Sequence, residues 1–326
     1  MTLQIVDITQ IKGSGSSITA DDSKVEVIDT GTGSVVTTID GNVRLTVTNT
    51  SLHFGDGSLE RIGYERKVFF DNSKGAFRAG IIGNYNWDDA NRGGGSVAFG
   101  HSTKASGNYS YAEGSGNTAS GESSHAEGTG CTASGYISHA EGIYCVASGI
   151  YSHAEGYRNT TNLKYASHVE GARGKCTNHS SHTKASGRFS ADGDAQYERN
   201  VLRVQTANNI STEMEFNISD DTTSSKLILP ANSNWRFEID IIAKDTTTKA
   251  TVASHKIIGG IERDSSNNTV LTGIFVDYKE FRKAGYEAIT YVAEADNTNE
   301  ALIIKATGLA DTTIGHVATV NLTEVM

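Results

Sequence analysis

The stretch Ser124-His125-Ala126-Glu127-Gly128, followed after two residues by Cys131-Thr132-Ala133-Ser134-Gly135, decides the fold. From Gly93 to Gly156 two kinds of pentad alternate, S-x-A-x-G and one ending in A-S-G, and two residues separate each pentad from the next. The repeating unit is therefore fourteen residues long. Five-residue strands joined by two-residue turns at this period predict a parallel β-roll with one coil per unit.

The side-chain alternation of a strand predicts which face lies inside the roll. In the first pentad Ser124, Ala126 and Gly128 share one face, while His125 and Glu127 share the other. Burying a His/Glu pair in every coil costs free energy unless each pair is matched. The small Ala/Gly face is therefore predicted to point inward. The opposite orientation is the less favoured alternative.

The predicted interior contains few large side chains. Between Gly93 and Gly171 the large aliphatic and Phe residues are Val97, Phe99, Ile137, Ile143, Val146, Ile150, Leu163 and Val169. Burying so few large groups does not offset the entropy lost when this much backbone becomes ordered. An obligate homo-oligomer is therefore predicted, with threefold symmetry about the roll axis as the expected closure.

Outside the roll, the pattern predicts three further segments. Residues 1–64 are predicted to be a small β-rich attachment segment, with strands at Lys24–Ile28, Ser34–Ile39, Asn42–Thr48 and Ser51–Phe54. Residues 65–92 are a lead-in, and residues 93–193 are the roll. Thr183–Gly187 repeats Thr103–Gly107 letter for letter, and Phe189–Gly193 is interpreted as the last coil.

Residues 194–326 lose the glycine spacing and predict an antiparallel β-sandwich or jelly roll. The segment Asp277–Ala288 has some helical character. Longer alternating runs predict nine strands: Asn200–Gln205, Glu213–Ile218, Lys226–Leu229, Trp235–Ala243, Thr251–Ile261, Val270–Val276, Ala288–Ala293, Ala301–Ala306 and His316–Val325. The overall fold class is therefore mainly β.

Composition excludes several classes of function. The chain of 326 residues has 28 basic and 38 acidic side chains, for a net charge of −10, which argues against nucleic-acid binding. No stretch approaches the about 18–20 apolar residues of a membrane-spanning helix. The first residues lack the pattern of a secretory signal. Three cysteines predict no disulfide framework.

The repeat resembles the YadA-like head of trimeric adhesins, which is a parallel β-roll trimer. The resemblance lies in Ser96-Val97-Ala98-Phe99-Gly100 and in the A-S-G pentads. Its Ser-His-Ala-Glu-Gly variants are similar to repeats in tail-fibre proteins of phages and prophages. The segment Phe69–Gly80 resembles the lead-in of such fibres, and Gly193-Asp194-Ala195-Gln196 with Val317–Val325 resembles their C-terminal domain. The resemblance covers roughly residues 65–326.

One candidate metal site is a histidine ladder, in which each His stands two residues before a Glu. Its members are His125, His139, His153 and His168, followed by Glu127, Glu141, Glu155 and Glu170. Imidazole and carboxylate groups suit a divalent transition metal. A solvated ladder of hydrogen-bonded His/Glu pairs is the favoured interpretation, so neither a metal nor a cofactor is assigned.

Three other polar groups are candidate ion or redox sites. The C-x2-H-x2-H group of Cys176, His179 and His182 lacks the four ligands of a structural zinc site. Asp192 and Asp194 supply too few oxygens for Ca²⁺, so a turn is expected there. Cys131 and Cys145 stand one coil apart, which predicts buried reduced thiols.

The resemblance implies a virion protein, a homotrimeric phage tail fibre that adsorbs to the host cell. The N-terminus would contact tail or baseplate proteins, and the C-terminal domain would contact a bacterial surface glycan or protein. Tyr278, Tyr286, Tyr291 and Trp235 are aromatic candidates for that contact, although most are expected in the core or an interface. The alternatives are a fibre connector whose C-terminal domain drives trimerisation or docks another fibre, and a polysaccharide depolymerase. No hydrolase motif is present, so no enzymatic activity is predicted.

Overall fold

The computed structural model describes residues 17–20, 23–28, 34–39, 42–48, 51–55, 65–83, 86–162, 164–216 and 226–326. The chain divides into two compact units, Met1–Ser134 and Gly135–Met326. Almost all regular structure is β, and the units combine a parallel roll of fourteen-residue coils with antiparallel sheets, which confirms the predicted fold class. Among the described residues, no helix is long and apolar enough to cross a membrane.

The first unit begins with an antiparallel meander in which each strand pairs with the next. Its strands are β1 (Ser17–Ala20), β2 (Ser23–Ile28), β3 (Ser34–Ile39), β4 (Asn42–Thr48), β5 (Ser51–Gly55), β6 (Glu65–Asp71) and β7 (Ala76–Ile82). The four strands predicted near the N-terminus are confirmed. A 3-10 turn at Asp89–Asn91 leads into the roll.

The roll of the first unit consists of two parallel ladders. The first ladder is β7, β8 (Val97–His101), β10 (Tyr111–Ser115) and β12 (His125–Ala126). The second is β9 (Lys104–Ala105), β11 (Thr118–Ala119) and β13 (Thr132–Ala133). Tyr111 pairs with Val97 and with His125, so the register advances by fourteen residues per coil.

The interior of the coils is lined by alanine, as predicted. Ala98, Ala112 and Ala126 are fully buried, and so are their counterparts Ala140 and Ala154 in the second unit. The serine of each S-x-A-x-G pentad is also buried, as are Ser167 and Ser181 of the variant pentads, and each Oγ donates a hydrogen bond to the carbonyl oxygen three residues earlier at 2.6–2.9 Å. This bond closes the preceding turn and explains why the pentad begins with serine.

The glycine that ends each S-x-A-x-G pentad allows the coils to approach closely. Gly114 has a φ of +97°, and a Cβ atom there would lie 2.2 Å from the carbonyl oxygen of Gly128 in the next coil. No side chain fits that position. The two-residue turns, by contrast, carry left-handed residues that are mostly not glycine, such as Tyr109, Ser123, Tyr144 and Tyr151.

A buried arginine closes the interior of the first unit's roll at β7. Arg78 pairs with Ala98 in register, and its guanidinium donates to Ser96 O, Ser96 Oγ and Ala105 O at 2.8–3.0 Å. Burial lowers the pKa of Arg78 to about 10. The parallel ladder thus begins at β7, within the segment that the sequence presents as a lead-in.

The second unit continues with its own coils. One parallel ladder consists of β14 (His139–Ile143), β16 (His153–Tyr157), β17 (His168–Ala172) and β18 (His182–Ser186). The short strand β15 (Val146–Ala147) belongs to the opposite side, where Val146, Thr160 and Lys175 form successive parallel bridges. Thr183–Gly187 therefore belongs to a ladder of S-x-A-x-G strands, through its pairing with β17. Thr103–Gly107 has the same sequence but belongs to the ladder of A-S-G strands, through the pairing of β9 with β11.

The antiparallel part of the second unit has two sheets. Strands β18, β19 (Ala195–Thr206), β27 (Ile314–Val325), β22 (Ser233–Asp245), β23 (Thr251–Arg263) and β24 (Thr269–Arg282) pair in this order. In the other sheet β26 (Ala301–Thr307) pairs with β20 (Ser211–Glu213), β21 (Leu227–Ile228) and β25 (Thr290–Asp296).

A large apolar core, including Trp235, Phe237, Ile257, Tyr291 and Leu302, draws residues from both of these sheets. Among the described residues of this region, nine strands are present where nine were predicted, and most are longer than predicted. Part of the predicted strand Glu213–Ile218 lies outside the described residues. Two expectations were wrong. Asp277–Ala288 continues β24 and then turns instead of forming a helix, and Phe189–Gly193 is a loop rather than a coil.

Candidate functional site

The histidine ladder is a stack of nearly parallel imidazole rings in the second unit. His139, His153 and His168 occupy the same position in successive strands, as the sequence predicted. The ring centroids are 4.7 Å apart and the ring planes differ by 5–7°. The stacking follows from in-register parallel pairing, which repeats each side chain at the spacing between strands.

The stack has a fourth member, His182, which the repeat pattern did not predict. Its ring lies 4.8 Å from that of His168 at an angle of 6°. Its strand, Ser181-His182-Thr183-Lys184-Ala185, replaces Ala, Glu and Gly of the repeat with Thr, Lys and Ala. The available signal was the spacing of fourteen residues from His168.

Each glutamate of the ladder faces the histidine of the following coil. The Nε2 atoms of His153, His168 and His182 lie 3.4, 3.3 and 3.6 Å from Oε1 of Glu141, Glu155 and Glu170, respectively. These side chains are about one third exposed, except for His182, which is half exposed. Hydrogen bonding with Glu141, followed by the nearby charges of His168 and His153, lowers the pKa of Glu155.

Two groups of His and Glu side chains bring three potential metal ligands together. In the second unit these are His139, Glu141 and His153, whose ligand atoms all lie within 4.8 Å of one another. In the first unit they are Glu113, His125 and Glu127. There Tyr111 replaces the preceding histidine, and its hydroxyl donates to Glu113 Oε2 at 3.1 Å. Burial and this hydrogen bond raise the pKa of Tyr111.

The three residues of the C-x2-H-x2-H group, Cys176, His179 and His182, lie in different surroundings. Cys176 is buried, its Sγ lies 3.5 Å from Thr183 Oγ1, and burial raises its pKa to about 12. The backbone N–H of Tyr165 donates to His179 Nδ1 at 3.1 Å, and His182 belongs to the ladder. Within the part of the chain that the structure describes, these three residues form no group of converging ligands.

Asp192 and Asp194 stabilise the loop that leaves the roll. Asp192 bridges Arg173 and Arg188 at 3.0 and 2.9 Å. Burial opposes ionisation of Asp194, but backbone N–H groups of residues 189–191 bond to its carboxylate and lower its pKa to about 2. The expected turn therefore accounts for both aspartates. Cys131 and Cys145 are buried thiols that take part in no disulfide, also as expected.

A buried pair of carboxyl groups lies next to the last coils, and no sequence pattern predicts it. Glu198 and Glu324 are at most 1% exposed, and the Thr177 hydroxyl donates to Glu198 Oε2 at 2.5 Å and lies 3.3 Å from Glu324 Oε1. Asn178 Nδ2 donates to Glu198 and Gln196 Nε2 to Glu324. Burial and the charge of Glu198 raise the pKa of Glu324 well above its usual value. The pair is closed to solvent, which excludes direct contact with a macromolecular substrate.

The C-terminal sheets expose two surfaces that could contact a partner. A surface cavity of about 510 Å³ lies at the ends of β19, β22 and β27 and is lined in part by Arg203, Lys244 and Val317. The outermost strand β24 exposes large apolar side chains over much of its length: Ile274, Phe275, Val276, Tyr278 and Phe281.

Of the four aromatic candidates, Tyr278 is exposed, while Trp235 and Tyr291 lie in the core. Tyr286 is half-buried, and its hydroxyl donates to Asp245 Oδ2 at 2.6 Å. The structure therefore leaves Tyr278 as the most accessible of the four.

The chain matches no protein-family model and no curated protein. Among solved structures, the tailspike protein of Acinetobacter baumannii phage AM24 aligns with 10% sequence identity and a TM-score of 0.24, covering 73% of this chain and 51% of that chain. The tailspike protein of the Acinetobacter phage vB_ApiP_P1 aligns with 9% identity and a TM-score of 0.21, covering 71% and 51%. This chain thus spans about half the length of either tailspike chain. TM-scores this low do not establish a shared fold.

Proposed function

We propose that the protein is a homotrimeric phage tail fibre, located in the virion, that mediates adsorption to the host cell surface. In this proposal residues 1–64 attach to a tail or baseplate protein and residues 65–92 lead into the roll. Residues 93–193 serve as a spacer, and residues 194–326 contact a surface glycan or protein. The resemblance of the Ser-His-Ala-Glu-Gly repeat to tail-fibre rolls supports the phage setting.

The observation that carries the proposal is the distribution of large apolar side chains in the roll. The interior holds mainly Ala and Ser, whereas the turns of the second unit expose Tyr136, Ile137, Ile143, Tyr144, Ile150 and Tyr151. Exposed apolar surface of this extent is typical of an interaction surface. These exposed side chains recur once per coil. A partner with the same spacing fits them best, and another copy of this chain has that spacing. Trimerisation would bury them.

Three copies would also raise the affinity of the fibre for a repetitive receptor. Linked copies of a weak site bind a surface more strongly than a single copy, with no new contact. The exposed residues of β24, including Phe275 and Tyr278, and the cavity beside Arg203 and Lys244 are candidate contact surfaces for a glycan. Aromatic faces and local hydrogen bonds are consistent with sugar binding by an acidic protein.

The first test is the solution mass of the full chain by light scattering. A mass near three times the 34.7 kDa chain is expected. Replacing the exposed Ile150 with Asp should then yield smaller species, because a charge would enter the interface. The control Asn208→Asp adds the same charge to an exposed loop and should remain trimeric. A stable wild-type monomer would refute the fibre assignment.

A second test separates adsorption from the alternatives. Labelled full-length protein is incubated with a panel of bacterial strains, and the supernatant is assayed for released reducing sugar. Saturable binding to some strains without sugar release supports the proposal. Sugar release would identify a depolymerase. A trimer that binds no strain, yet binds purified tail proteins, would instead indicate a connector.

A further inference from the structure

The first rungs of the histidine ladder in the second unit combine two imidazoles with one carboxylate. The rings of His139 and His153 stack at 4.7 Å, and Glu141 Oε1 lies 3.4 Å from His153 Nε2. We propose that His139, Glu141 and His153 form a binding site for a divalent transition-metal ion, such as Zn²⁺, that joins two adjacent coils of the roll. This site is independent of the adsorption function.

The distances suit a small ion after a minor adjustment. Zinc bonds to histidine nitrogen at about 2.0–2.1 Å and to carboxylate oxygen at about 2.0–2.2 Å, so two ligand atoms on one ion are at most about 4.2 Å apart. The three ligand atoms lie within 4.8 Å of one another. A tilt of the partly exposed imidazole rings brings them into range without a change in the backbone, whose register is held by β14 and β16.

The ligand set selects the class of metal. Two imidazoles and one carboxylate suit Zn²⁺, Cu²⁺ or Ni²⁺, whereas Ca²⁺ takes six to eight oxygen ligands and Mg²⁺ prefers oxygen in near-octahedral geometry. Three protein ligands leave a fourth position of a tetrahedral ion for water. Since His139 and His153 belong to successive coils, a bound ion would link the coils and oppose their separation.

The other end of the same ladder is less suitable and provides an internal control. Lys184 Nζ lies 3.1 Å from Glu170 Oε1, the oxygen that also faces His182 Nε2 at 3.6 Å. A cation bonded to this carboxylate competes with a metal ion for it. The Glu113–His125–Glu127 group of the first unit contains only one imidazole and is expected to bind a transition metal more weakly.

In the experiment, the full-length protein is titrated with ZnCl₂. Calorimetry measures the binding, and thermal unfolding measures the shift in unfolding temperature. The variants His153→Asn and Glu141→Gln should each weaken the tightest zinc-binding event by at least about tenfold, a loss that even substitutions behind a metal ligand can cause. They should also reduce the rise in unfolding temperature caused by zinc. The matched control His182→Asn removes the same ring at the Lys184 end and should leave both readouts unchanged. Visible absorption of the Co²⁺-loaded protein reports the ligand geometry.

Three outcomes would overturn the proposal. Zinc binding could be absent in the wild-type protein, or unaffected in both variants. The His182→Asn control could also lose as much affinity as His153→Asn, which would indicate diffuse binding along the ladder. Circular dichroism and light scattering of each variant without metal show whether it folds and assembles as the wild type does. If His153→Asn fails this check, Glu141→Gln still tests the site, because it changes a partly exposed side chain.

Discussion

The roll and the C-terminal sandwich of the second unit are both β structures, but their interiors differ. The roll interior consists mainly of small side chains, among them Ala140, Ala154 and serines that bond to turn carbonyls. The sandwich interior consists of large side chains such as Trp235 and Phe237. The roll therefore depends on close backbone approach and satisfied hydrogen bonds, while the sandwich depends on burial of apolar area. Consequently, added atoms should destabilise the roll, and removed atoms should destabilise the sandwich.

The largest effect is expected from Phe237→Ala in the sandwich. The ring of Phe237 is fully buried and packs against Gly259, where an added Cβ atom would lie 2.4 Å from it. A Phe→Ala change in a core typically lowers the free energy of unfolding by about 3–5 kcal/mol. Denaturant unfolding at a fixed chain concentration measures the loss. Phe189→Ala, at a position 78% exposed, is the control and should change the stability little.

The next largest effect is expected from Gly114→Ala in the roll of the first unit. The new Cβ atom would collide with Gly128 O at 2.2 Å, and φ is +97°. Backbone strain of this kind costs about 1–3 kcal/mol, and the collision adds to it. Gly116 also has positive φ, +67°, but has open space around it. A similar loss of unfolding temperature in Gly116→Ala would show that the strain, and not the contact between coils, decides the stability.

The sandwich also contains a polar exception that should make it sensitive to acid. His316 is buried between Thr206 Oγ1 and Tyr291 OH at 2.9 and 3.0 Å, and burial lowers its pKa from 6.5 to about 4. Above pH 6.5 it is neutral in both states. As the pH falls from 6.5 toward 4, only the unfolded state gains the proton, so up to about 3 kcal/mol of stability is lost.

The measurement is the free energy of unfolding at several pH values for the wild type and for His316→Asn. The variant should lose less stability than the wild type between pH 6.5 and 4, because this contribution is absent from it. Equal slopes would mean that the pKa of His316 is the same in the folded and unfolded states. His255, whose pKa is also lowered, chiefly by burial, remains in both proteins and cancels in the comparison.

The smallest effect is expected from Ser138→Ala in the roll. It removes the hydrogen bond from Ser138 Oγ to Gly135 O, which is 2.8 Å long. The loss of one such bond costs about 1 kcal/mol. Ser120 is exposed, and Ser120→Ala serves as the control in the same thermal unfolding experiment. No difference between the two variants would indicate that the turn is held by its backbone alone.

The sequence predicted the features that depend on alternation within a strand. The inward alanines, the outward His/Glu pairs and the nine C-terminal strands follow from patterns with a period of two or fourteen residues. The sequence did not predict how the roll ends, because the repeat pattern is absent from the strands at its ends. Arg78 fills the interior at one end because four oxygens accept from its guanidinium, and three of them come from residues 18 to 27 positions away.

By itself, the sequence determined the length of a coil, the residues inside it and the strand character of both flanks, because these depend on local periodicity. Only the tertiary structure decided which ladder a pentad joins. Thr103–Gly107 and Thr183–Gly187 are identical, but the second pentad pairs with β17 on one side and the antiparallel β19 on the other. The tertiary structure also decided that His182 is the fourth ring of the ladder and that Glu198 and Glu324 are buried as a pair. Such contacts depend on which strands become neighbours, and a local pattern does not specify distant neighbours.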